Sequence, residues 1–142
     1  MDKRVIANEI LLEEAAALMT EGRDVTFTPL GSSMDPFISG GKDSVTMRRM
    51  ADIEVGDIVL ARLPDRYVLH RVFRVEGDAL TLMGDGNVNI TETCTKNDIL
   101  GTVTGIIRGG REHAPGKAVL WRRLLPIRRY LLAFYRRIIK KI

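Results

Sequence analysis

Between Asp24 and Ile107 the apolar residues recur at every second position, in short segments that Gly, Pro and Asp separate. A period of two is the spacing of a β-strand with one buried face, and these turn residues join neighbouring antiparallel strands. The pattern predicts a compact, mainly antiparallel β domain of the α+β class. The predicted strands cover residues 25–28, 44–48, 58–61, 67–75, 79–83 and 98–107.

A helix is predicted on each side of this domain. Residues 2–21 carry Leu and Ala at helical spacing, and Gly22 suits the position after a helix end. The 142 residues are enough for one domain with its own core. The predicted organisation is an N-terminal amphipathic helix (1–23), a β-rich domain (24–109), and a linker with a basic amphipathic helix (110–142).

Charge is distributed unevenly along the chain. Residues 118–142, called the basic tail below, hold eight Lys and Arg and no Asp or Glu, which leaves 14 basic against 18 acidic residues elsewhere. An acidic body argues against binding to nucleic acid. On a helical wheel the Leu, Ile and aromatic residues of the tail crowd one half, and only Arg128 intrudes among them. Two interpretations stay open: the tail binds an anionic membrane surface, or it docks on the body or on a partner protein.

Three residues have the types and local settings of an acyl-transfer site. Ser33 lies in a turn that Gly31 begins and Pro36 ends, His70 lies among valines on a predicted strand, and Asp85 follows the next strand. A serine becomes a nucleophile when a nearby base takes its proton, and a carboxylate can orient an imidazole for that purpose. The sequence therefore predicts a Ser-His-Asp site at Ser33, His70 and Asp85.

No metal and no organic cofactor are predicted. His70 and His113 are far apart in the chain, and with the one cysteine they make a poor set of zinc ligands. Cys94 lies in a polar run without a nearby histidine, so we interpret it as incidental to the chemistry.

Four segments resemble the boxes of type I signal peptidases. Gly31-Ser32-Ser33-Met34-Asp35-Pro36 resembles the Ser-Met-x-Pro box that carries the nucleophile, and Gly56-Asp57-Ile58-Val59 resembles a Gly-Asp-hydrophobic-Val strand. Tyr67-Val68-Leu69-His70-Arg71-Val72 is similar to the box of the general base, and Gly84-Asp85-Gly86-Asn87 to the Gly-Asp-x-Asn box. The boxes follow the family order. At the base position the chain has histidine, as one branch of the family does, where most bacterial members and the related self-cleaving repressors have lysine.

The resemblance implies a role for each residue of the predicted site. Ser33, rather than Ser32, is expected to be the nucleophile, and its backbone N–H to help bind the oxyanion. His70 is expected to be the base and Asp85 to support it. Glu92 stays open as the alternative partner of His70, because the histidine branch often has a further acidic residue after the last box.

The expected activity is that of a signal-peptidase-like serine endopeptidase, which cleaves a peptide or a leader-bearing precursor through an acyl-enzyme intermediate. Family members span the membrane, whereas the acidic start of this chain and its lack of a long apolar run predict a cytoplasmic protein, peripheral at most to the membrane. Two other functions stay open. One is a non-catalytic binding module that holds a partner or membrane through the tail, and the other is a self-cleaving regulator.

Overall fold

The computed structural model describes residues 5–6 and 9–139. In these residues one curled sheet contains nine strands. The prediction of a mainly antiparallel β fold with a helix towards each end is confirmed. The strands are β1 (Val5–Ile6), β2 (Val25–Pro29), β3 (Ser44–Arg48), β4 (Ile58–Arg62), β5 (Tyr67–Glu76), β6 (Ala79–Met83), β7 (Glu92–Thr95), β8 (Ile99–Arg108) and β9 (Arg111–His113).

The spatial order of the strands is β1-β2-β3-β8-β4-β5-β6-β7, and β9 pairs with β8. All pairs are antiparallel except β1 with β2. Consecutive strands β4 to β7 are therefore neighbours, as in a meander. This arrangement brings the first half of β5, the end of β6 and the start of β7 to one side of the sheet, where His70, Asp85 and Glu92 lie.

Six strands agree with the period-two prediction, and β3 and β6 have the predicted bounds. Three short strands were not predicted. β7 is a polar run in which two of the four residues, Thr93 and Thr95, are exposed. β9 consists of three exposed residues that the sequence placed in the linker. Neither segment has an apolar alternation of its own. Each forms a strand because it pairs with a neighbouring strand, β6 or β8.

The N-terminal helix, α1, covers Glu9–Thr20 and is shorter than the predicted 2–21. Val5–Ile6 instead forms β1, which pairs in parallel with Thr28 and Pro29. Residues 1–4 and 7–8 lie outside the described residues. As predicted, Gly22 follows the helix in a left-handed conformation, with φ of 85°.

The two faces of the sheet support two apolar clusters. The larger cluster packs α1 against β2, β3, β8 and the Met34–Ile38 region, with Met19 completely buried. The smaller cluster lies on the other face, between β4, β5 and β6. Residues of β5 alternate between the two as predicted: Val68 and Val72 belong to the smaller cluster, and Leu69 packs against the larger.

The basic tail is helical but broken. It contains α2 (Val119–Arg123), a 3₁₀ turn (Leu125–Ile127), α3 (Arg128–Phe134) and a π-helical turn (Tyr135–Ile139), while residues 140–142 lie outside the described residues. Pro126 lies at the break, where its ring cannot continue a preceding helix. Within residues 5–6 and 9–139, every helix is too short or too polar to cross a membrane.

Candidate active site

The serine turn (residues 30–39) connects β2 to the Gly-rich approach to β3. Gly31 has φ of 87°, a conformation that favours glycine, and it begins the turn as predicted. Met34 is buried in the larger cluster, whereas the neighbouring Ser33 is half-buried and Ser32 is exposed. The buried methionine therefore anchors the turn and leaves Ser33 at the border between core and solvent.

The aspartate turn (residues 84–87) packs directly against the serine turn. The Gly86 N–H donates a 2.8 Å hydrogen bond to the Ser33 carbonyl. A Cβ atom on Gly84 would collide with that carbonyl and would lie 3.1 Å from Cδ2 of His70. The absence of a side chain at Gly84 thus lets the Ser33 backbone and the His70 ring both lie close to this glycine.

His70 is hydrogen-bonded to Glu92. The Nδ1 atom of the imidazole lies 2.7 Å from Oε1 of Glu92, and both side chains are buried. Register explains the contact: Glu92 pairs with Leu82, which pairs with Val72, and Val72 lies on the same face of β5 as His70. Oε2 of Glu92 also lies 3.4 Å from a guanidinium nitrogen of Arg66.

Ser33, His70 and Glu92 all line one cleft of about 530 Å³. The other lining residues are mostly apolar, among them Phe27, Met34, Ile38, Leu60, Tyr67 and Leu69, but polar and apolar groups share the accessible wall about equally. The cleft therefore combines a hydroxyl, an imidazole and a carboxylate with a groove that could hold an apolar or small peptide side chain.

The structure differs from the predicted role of Asp85. Its carboxylate accepts bonds from Nε and from a terminal nitrogen of Arg71, the shortest at 2.7 Å, and Asp85 is almost completely buried. The carboxylate that meets His70 is that of Glu92, the alternative that the sequence left open. The reason is strand alternation, since Arg71 and His70 face opposite sides of β5 and the aspartate turn meets the Arg71 side.

Arg71 is a completely buried connection between four segments. Besides Asp85, its guanidinium donates to the carbonyls of Gly56 at 2.8 Å and Gly116 at 3.0 Å. It also lies over the Phe37 ring, 5.2 Å from the centroid. These contacts tie β5 to the turn before β4, the aspartate turn, the serine turn and the linker before the tail.

The basic tail packs against both turns. Docking on the body was one of the interpretations that the sequence left open, but the sequence did not predict contact with these two turns. Trp121 Nε1 donates to the Asp85 carbonyl at 2.9 Å, and Arg128 donates to the Asn87 carbonyl at 3.1 Å. Burial lowers the pKa of Arg128, an effect that Asp85 opposes and Arg71 reinforces. Arg136 donates to the Ser32 and Gly86 carbonyls at 3.1 and 3.3 Å. The helical wheel distinguishes Arg128 as the one basic residue in the apolar half, but no local signal distinguishes Arg136 from the exposed arginines, because its contacts are set by the fold.

Cys94 lies on β7, two positions after Glu92, and is half-buried. Burial raises its pKa to about 11, with further contributions from the charges of Asp98 and Glu92. The thiol is therefore protonated near neutral pH and is a poor nucleophile. Among the residues that the structure describes, no cluster of His, Cys, Asp and Glu could hold a metal ion.

Comparison with known proteins leaves the family open. No protein-family model matches the chain, and no curated protein matches it either. The local chemistry of the cleft is therefore the basis for inferring a function.

Proposed function

We propose that this protein is a serine endopeptidase, similar in chemistry to the histidine branch of type I signal peptidases, with Glu92 in the position predicted for Asp85. The observation that carries the proposal is that Ser33, His70 and Glu92 line one cleft, with His70 Nδ1 bonded to Glu92. A carboxylate on one ring nitrogen holds the imidazole in the tautomer that can accept a proton on the other.

In the proposed reaction, Nε2 of His70 takes the proton of the Ser33 hydroxyl as Oγ attacks the carbonyl carbon of the scissile peptide bond. The backbone N–H of Ser33 would donate to the oxyanion. His70 then gives the proton to the departing amine, and an acyl-Ser33 ester forms. Water, deprotonated by His70, hydrolyses the ester and restores the free serine. Arg71 cannot replace His70 as the base, because a guanidinium stays protonated.

The proposed substrate is a peptide segment that enters the cleft in an extended form. The apolar wall of the cleft favours short or apolar side chains next to the scissile bond, and the resemblance implies small residues before it. A leader-bearing precursor is a substrate of this kind. The cleft opens to solvent beside Leu30 and Ile90, which are both exposed. An internal segment of a long chain could therefore enter the cleft from the side.

Covalent labelling tests the nucleophile. The protein is incubated with a fluorophosphonate, which phosphonylates activated serines, and the modified peptide is identified by mass spectrometry. We expect one adduct, on Ser33, with labelling abolished by Ser33→Ala and reduced at least about a hundredfold by His70→Ala. Ser32→Ala is the matched control, since Ser32 is adjacent but exposed, and should label normally.

Two results would contradict the proposal. An adduct on Ser32 would show that Ser32, and not Ser33, is the nucleophile. A folded protein that the probe does not label would favour the non-catalytic binding module. Fragments that form in the purified protein and disappear in Ser33→Ala would instead indicate self-cleavage.

A further inference from the structure

The face of the basic tail that meets the body carries two arginines and a buried leucine. Arg128 is completely buried, and its guanidinium also donates to the Trp121 carbonyl at 3.0 Å. One turn later Leu132 is buried, and Arg136 one turn after that bonds Asp35 at 3.2 Å. Residues at this spacing share one side of a helix. This side is therefore held against the body by hydrogen bonds from Arg128 and Arg136, by the Arg136–Asp35 ion pair and by the buried Leu132.

The opposite side of the tail is apolar and exposed. Tyr130 is 69% exposed, Phe134 59% and Leu120 70%. The other large apolar residues that are exposed on the described part of the tail are Val119, Ile127, Leu131, Ile138 and Ile139. The apolar half of the wheel thus faces mostly outward: Leu132 is buried, and Leu124 and Tyr135 are half-buried. So many exposed apolar side chains on one segment mark a candidate interaction site.

The charged side chains of the tail itself are all positive. Arg123, Arg129 and Arg137 are exposed among the apolar residues, and residues 118–142 contain no acidic side chain. A second copy of the same surface would bring like charges together, which opposes self-association through it. Leu, Ile and aromatic side chains interleaved with arginine are instead the composition that binds the interface of an anionic bilayer.

We propose that the outward side of the basic tail binds anionic lipid bilayers, with its apolar side chains inserted at the level of the headgroups and its exposed arginines paired with lipid phosphates. The inward side, Arg128, Leu132 and Arg136, stays bound to the body. Because Arg136 also bonds the Ser32 and Gly86 carbonyls, the surface-bound tail holds the serine and aspartate turns beside the membrane. The proposal concerns a surface outside the cleft and does not depend on peptidase activity.

The test is co-sedimentation of the full chain with vesicles of phosphatidylcholine, alone or mixed with phosphatidylglycerol. We expect binding to the mixed vesicles that weakens as salt rises, and little binding to phosphatidylcholine alone. Tyr130→Ser/Phe134→Ser should lower the partition coefficient at least about tenfold. Arg129→Glu/Arg137→Glu should lower it at least about twenty-fold, since each basic residue near the surface contributes about fivefold.

Matched controls carry the same substitutions elsewhere on the surface. Leu18→Ser/Val55→Ser removes two exposed apolar side chains, and Arg49→Glu/Arg111→Glu makes the same change of net charge. Both control proteins should bind as the unaltered chain does. Circular dichroism and urea titration of each variant establish that it is folded.

Three outcomes would overturn the proposal: a full chain that does not sediment with the anionic vesicles, equal binding to neutral vesicles, or folded tail variants that bind as the controls do. A dimer in sedimentation velocity that Tyr130→Ser/Phe134→Ser dissociates, without vesicle binding, would assign the surface to a second copy.

Discussion

His70 and Arg71 are consecutive on β5 and each meets a buried carboxylate, yet the two pairs have different surroundings. All three guanidinium nitrogens of Arg71 are bonded, to Asp85 and to two backbone carbonyls, and Asp85 also lies away from the cleft. The His70–Glu92 pair lines the cleft beside Ser33.

The difference shows how one strand can serve structure and chemistry at adjacent positions. A guanidinium keeps its charge, so it suits a permanent buried connection between segments. An imidazole gains and loses a proton under ordinary conditions, so it suits a position that opens to substrate. We therefore expect changes at the Arg71 pair to affect stability first, and changes at the His70 pair to affect rate first.

The largest expected effect on rate comes from replacing each carboxylate, in turn, by the corresponding neutral amide. Glu92→Gln should lower kcat for a cleavable peptide by about 10² to 10⁴, because a neutral amide holds the imidazole in the wrong tautomer and does not stabilise its charged form. Glu92→Asp should restore part of the rate, and the acid limb of the pH–rate profile should shift in Glu92→Gln. Asp85→Asn should leave the shape of that profile unchanged. An Asp85→Asn protein with the larger loss of kcat and an altered profile would reverse the assignment.

The next effect concerns stability. Arg71→Ala leaves the buried Asp85 carboxylate without its partner and should lower the free energy of unfolding by about 3–5 kcal/mol. Arg74→Ala, on the same strand but exposed, is the control and should be close to the unaltered protein in urea titration. If Arg71→Ala unfolds at the same urea concentration as Arg74→Ala, the Arg71–Asp85 pair does not contribute to the stability of the fold.

The smallest expected effect is on the alkylation rate of Cys94, whose pKa depends in part on the charge of Glu92. Because the thiolate is the reactive form and the pKa of Cys94 is raised to about 11, alkylation by iodoacetamide should be slow near neutral pH and accelerate as pH rises towards that value. Glu92→Gln removes one of the smaller contributions to that raised pKa, so it should speed alkylation modestly. Asp85→Asn should not. Rapid alkylation of the unaltered protein near neutral pH would contradict the buried, charge-flanked setting of the thiol.

Much of the fold followed from local patterns. Alternation in segments such as Ala79–Met83 depends only on neighbouring residues, so the strands and the two faces of β5 were predictable. The Gly-led turn containing Ser33 was predictable for the same reason. β7 was not, because a short polar strand is stabilised by its partner and carries no pattern of its own.

The partners of the charged residues were harder to predict. Asp85 and Glu92 both follow β5 in the chain, and spacing does not say which of them reaches His70. Hairpin register places Glu92 on the His70 face and the aspartate turn on the Arg71 side. In the tail, a helical wheel separates apolar from basic residues but does not say which side meets the body, and Arg128 is buried against the aspartate turn.

By itself, the sequence determined the β class of this protein, the turn that presents Ser33 and the position of His70 on a strand, because each depends on backbone preferences over a few residues. Tertiary structure decided that Glu92 pairs with His70, that Asp85 pairs with Arg71, and that the apolar side of the tail faces outward. These outcomes depend on contacts between residues far apart in the chain, where the cost of burying a charge selects the partner that the fold brings within reach.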